Sequence, residues 1–94
     1  MVAALLNKLG VAPALYSQGE HAVRSPIDGS QIGSVKLQDG ASVAVQIGQA
    51  EAAFQAWRQV PAPRRGELIR LFGEALRANK AELGELVSWE AGKI

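Results

Sequence analysis

The sequence predicts a small α+β unit: a short N-terminal helix, a β-hairpin, and then three helices. Three observations carry this. "SPIDGS", residues 25–30, places Pro26 ahead of Asp28-Gly29 between two short runs of strand-forming residues. Proline presets φ for a turn and glycine supplies positive φ at little steric cost. Val43, Ile47, Ala50, Phe54 and Trp57 recur at alternating steps of four and three, the spacing of one helix face. Pro61 and Pro63 then stop that helix and introduce another, because proline is welcome in a first turn and not in an interior.

The elements follow in order. "MVAALLNKLG" is too short in its apolar run for a signal peptide, and Asn7 and Lys8 interrupt it. Val2, Leu5, Leu6 and Leu9 share a helical face instead, so a short amphipathic helix ending at Gly10 is expected. Residues 11–20, with Pro13 and Gly19, read as a connector. Val23 sits in the first hairpin strand, and Ile32, Val35 and Leu37 in the second. Gly33 interrupts that pattern and marks a bulge.

The first long helix starts near "QDGAS", with Asp39 as N-cap and Ser42 as the alternative. The second spans about residues 63–78 and buries Leu68, Leu71, Phe72, Ala75 and Leu76. Phe54 and Trp57 are expected to share a buried face with Leu68 and Phe72. Glu67 with Arg70, Arg70 with Glu74, and Glu74 with Arg77 are spaced for ion pairs on the wet side, each worth about 0.2–0.5 kcal/mol. A third helix, residues 80–90, buries Leu83, Leu86 and Val87 and stops at Gly92. The plan is a leader helix and connector over 1–19, the hairpin over 20–38 and a helical part over 39–94. Gly48, Gly66, Gly73 and Gly84 fall inside helices, where each costs about 0.8–1 kcal/mol relative to alanine. They mark either simple tolerance or close approach of another backbone.

Composition excludes several function classes. The 94 residues carry 10 Lys plus Arg against 9 Asp plus Glu, a net charge of +1, far from the basic excess of a general nucleic-acid binder. There is no cysteine, which removes disulfides, thiolate metal sites and cysteine nucleophiles from this chain. No apolar run approaches the ~20 residues of a membrane span.

Gly92-Lys93 is not a phosphate loop: Val87 stands where the first glycine belongs, and Ile94 where Ser or Thr belongs. Gly29 and Gly33 lack dinucleotide-fingerprint spacing. His21, the only histidine, falls in a strand and is expected at the surface. Arg64 and Arg65 sit at a helix N-terminus, where cations are disfavoured. That hints at an acidic partner or a nearby carboxylate such as Glu67, against the simpler reading of a solvated first turn. No catalytic, cofactor-binding or metal-binding residue is assigned.

The ordered segments "SPIDGSQIGSV", "AEAAFQAWRQVPAPRRGELIRLFGEAL" and "ELVSWEAGKI" resemble the N-terminal part of the aldehyde dehydrogenase superfamily. The matching positions are Pro26, Gly29, Ile32, Gly33, Ala53, Phe54, Trp57, Pro61, Arg64, Glu90, Gly92 and Lys93. "PAPRRGELIR", "LGELVS", "EAGKI" and the leader "LLNKLGV" are similar to the antiquitin subfamily, the α-aminoadipic semialdehyde dehydrogenases of lysine catabolism. The resemblance implies an α/β parent enzyme, dimeric or tetrameric, that uses NAD and a cysteine thiohemiacetal. The lack of a presequence suits a bacterial, cytoplasmic member, and the resemblance makes this chain a non-catalytic scaffold segment of the cofactor-binding domain, cut after Ile94. The remainder of the parent would be its partner, with self-association of the free chain as a consequence; neither nucleic acid nor membrane is expected. The alternative is an independent protein-interaction module without enzymatic activity.

Overall fold

The computed structural model describes Met1–Ile94, which form two compact units. The first comprises Met1–Leu37 and Ala78–Ile94, and the second Gln38–Arg77. In chain order the elements are α1 (Val2–Lys8), α2 (Ala14–Ser17), β1 (His21–Arg24), β2 (Gln31–Val35), α3 (Gly40–Trp57), α4 (Ala62–Ala78) and α5 (Lys80–Ala91). Helices therefore number five, one more than the sequence predicts. The extra one, α2, lies in the expected connector. Pro13, already in the helical region at φ −54°, starts its single turn, and the Ser17 hydroxyl donates to the Pro13 carbonyl at 2.6 Å. A four-residue turn leaves no periodic signal; packing of α2 against β2 holds it.

In the first unit, α1 forms as expected and buries Val2 and Leu5, the only buried apolar side chains of the chain. It packs against α5 and β2, and Lys8 Nζ reaches Glu82 Oε1 at 2.7 Å. Gly10, at φ 81°, turns the chain away after the helix. The hairpin is antiparallel, but β2 ends at Val35, so Leu37 lies outside it and is exposed. Pairing runs Val23 to Gly33 and then Arg24 to Gln31. The extra residue is thus Ile32, next to the glycine expected to mark the bulge. Gly33 meets a different demand: an added Cβ would lie 3.0 Å from the Tyr16 carbonyl oxygen. Gly19 is more constrained still, since its missing side chain leaves room for the backbone of Val35 and Lys36.

In the second unit, α3 starts where its cap chemistry dictates. The Asp39 carboxylate accepts from the Ser42 amide at 2.8 Å, and Ser42 Oγ accepts from the Asp39 amide at 3.1 Å. Both candidate caps therefore act together, in a reciprocal capping box. In α4, Arg70 grips Glu67 through Nε and Nη2, and Arg77 pairs with Glu74 at 2.6 Å. The expected Arg70–Glu74 pair is not made, because the Arg70 guanidinium is already engaged by Glu67.

The expected burial of the second unit is overturned. Phe54 is 51% exposed, Trp57 39% and Phe72 60%, and Leu68, Leu71 and Leu76 are also exposed. Neither α3 nor α4 contains a buried residue, and the two do not pack side by side. The periodic stripes are real, but nothing within the second unit covers them. In α5, Leu83 and Leu86 are half-buried, whereas Val87 is exposed. No other part of the chain approaches Gly48, Gly66, Gly73 or Gly84 closely enough to meet an added Cβ.

The capping box predicts a pH response. The Ser42 amide and hydroxyl hold the Asp39 carboxyl below its ordinary range. A carboxylate depressed in the folded state contributes stability above its unfolded pKa and loses it as pH falls through the lower folded value. Helicity of α3, followed by circular dichroism and the Ser42 amide resonance, should decline through that acid range. Asp39→Asn should keep the helix start and flatten that part of the titration.

Candidate functional site

The most constrained polar arrangement lies where the hairpin turn meets the end of α5. Ser25 follows β1 and is only 1% exposed, the one buried polar residue of the chain. Its hydroxyl donates to the Trp89 carbonyl at 2.6 Å and accepts from the Ile27 amide at 3.2 Å. The last carbonyls of a helix have no partner within it. At the end of α5, Gly92 N–H takes the Ser88 carbonyl at 2.9 Å, and Ser25 takes that of Trp89. One serine therefore fixes the start of the turn and caps a helix distant in sequence.

The turn has its own supports. Gly29 adopts φ 76° and donates to the Ser25 carbonyl at 2.8 Å, while Ser25 N–H donates to the Ser30 carbonyl at 2.9 Å. Asp28 Oδ1 accepts from the hydroxyl and amide of Ser30, at 2.6 and 2.9 Å, which draws its carboxyl below the ordinary range. Gly92 adopts φ 68°, and an added Cβ there would lie 3.4 Å from Pro26 Cγ. The structure thus brings Pro26, Gly29 and Gly92 to one junction. Ala53, Phe54, Trp57, Pro61 and Arg64 belong to the second unit, around the turn between α3 and α4.

This junction is built for positioning. Ser25 has no base beside it: its hydrogen goes to a carbonyl, and His21 is exposed on β1. No three His, Cys, Asp or Glu side chains gather as a metal site. A groove of about 180 Å³ beside the hairpin is lined by Val2, Tyr16, Val23, Ile32, Leu86 and their neighbours, an apolar set with Glu90 at its edge. In the second unit, a wider depression of about 540 Å³ is lined by Ala50, Phe54, Trp57 and Val60. Arg58 stacks over Phe54, 5.8 Å from the ring centre. Glu67 turns to Arg70 rather than to Arg64 or Arg65, and Arg65 Nε is shut off from solvent without a hydrogen-bond partner.

A dinucleotide is held at the carboxyl ends of parallel strands, with a helix N-terminus on its pyrophosphate. The sheet here is a single antiparallel pair, and the first turn of α3 already binds the Asp39 carboxylate. These residues do not fit such a group.

The model of the aldehyde dehydrogenase family matches residues 15–94, and the chain belongs to that family. It is 38% identical over 90 residues to a putative aldehyde dehydrogenase family 7 member A1 homolog of Caenorhabditis elegans, covering 94% of this chain and 17% of that protein. It is 52% identical over 48 residues to the alpha-aminoadipic semialdehyde dehydrogenase of Rattus norvegicus, covering 51% of this chain and 9% of the relative. Malonate-semialdehyde dehydrogenase of Pseudomonas aeruginosa is 38% identical over 71 residues, 76% of this chain and 14% of that protein. The chain thus spans less than a fifth of the length of these relatives.

Ser25 was not singled out by the sequence, where it reads as one more turn residue; its partner is 64 positions away. Replacing it tests the junction. Ser25→Ala leaves the Trp89 carbonyl and the Ile27 amide without their partner, and should cost about 1–3 kcal/mol in a urea melt. Ser25→Thr, which retains the hydroxyl, serves as the conservative comparison. A Ser25→Ala change near zero would show that water replaces the tie freely.

Proposed function

We propose that this chain is the N-terminal scaffold segment of an NAD-dependent aldehyde dehydrogenase of the antiquitin type. The parent would oxidise L-2-aminoadipate 6-semialdehyde to the carboxylic acid in lysine catabolism, passing a hydride to NAD. The observation that carries the reading is the family match over residues 15–94, together with relatives bearing the semialdehyde dehydrogenase name. The segment itself would neither bind NAD nor react with aldehyde. It contains no cysteine to attack the carbonyl, so in this reading the nucleophile comes from elsewhere in the parent. Its part is mechanical: the Ser25 junction holds the hairpin on α5, and the apolar faces of α3 and α4 brace the rest of the enzyme.

The exposed stripes support the bracing role. α3 carries one charged residue, Glu51, among its 18, and a helix apolar on most sides belongs in an interior. We place the parent among homo-oligomeric enzymes, following the family resemblance. No helix of the chain is long and apolar enough to cross a membrane.

The test uses the whole protein and the 94-residue chain in parallel. The whole protein should generate NADH absorbance with the aminoadipate semialdehyde and turn over malonate semialdehyde poorly. Preference for malonate semialdehyde would overturn the substrate. The chain alone should give no saturable heat on titration with NAD and no turnover above a heat-killed control. Micromolar NAD binding by the chain would overturn the scaffold reading.

The uncovered helices also predict behaviour of the free chain. Sedimentation velocity should show mass increasing with concentration, and Phe54→Glu with Phe72→Glu should shift the chain toward monomer. A strict monomer across the accessible range would contradict the bracing role assigned to α3 and α4.

A further inference from the structure

No further inference is drawn: the strongest candidate, the apolar surface of α3 and α4 that includes Phe54, Trp57, Leu68 and Phe72, carries nothing beyond the reading above because nothing in the structure shows what covers it.

Discussion

The Ser25 hydroxyl carries the constraint on which the first unit depends. A two-stranded hairpin is marginal in water by itself and needs something to pack against. Here α2 and α1 pack on β2, and the turn is tied to α5 by a buried hydrogen bond to a carbonyl that helix cannot satisfy internally. The same oxygen orders the turn through Ile27, so hairpin geometry and helix position are set by one group. Lys8 and Glu82 add a second link, between α1 and α5. The Glu82 carboxyl is lowered and the Lys8 ammonium raised by their contact, so the pair is intact between the carboxylate and lysine ranges. It is exposed on the lysine side and contributes modestly.

The second unit is organised differently. Its helices are well started, by the Asp39–Ser42 box in α3 and by the proline-rich entry to α4, but their apolar faces are open. Start signals and surface ion pairs decide where a helix lies; burial of a face decides how firmly it is held. In this unit the first is satisfied and the second is not. The proposed scaffold role gives that imbalance a rationale, since in that reading the apolar faces of α3 and α4 pack on the rest of the enzyme.

Much of the architecture was legible because its causes are local. Asp39, Gly92 and the Pro26-to-Gly29 turn each impose their conformation within a few residues, and each does so in the structure. The α2 turn escaped because one helical turn has no period to detect. The bulge fell one residue from Gly33 because strand register depends on both strands. Burial of Phe54, Trp57 and Phe72 failed for another reason: a 3-4 stripe states that a face prefers cover and not where the cover lies. Of the positions that carried the family resemblance, Pro26 and Gly92 meet at one junction, which spacing along the chain cannot reveal. Ser25 lies beside them and was invisible for the same reason, since a buried serine and a turn serine look alike in sequence.

Amide hydrogen exchange of the 94-residue chain, at a dilution where it is monomeric, tests the central division most directly. Exchange reports the free energy of local opening, region by region. The account predicts that amides of β1, β2 and α5, tied through Ser25, exchange more slowly than those of α3 and α4, whose faces are uncovered. Equal or greater protection across Gln38–Arg77 would contradict it, because the second unit would then hold itself together without a partner.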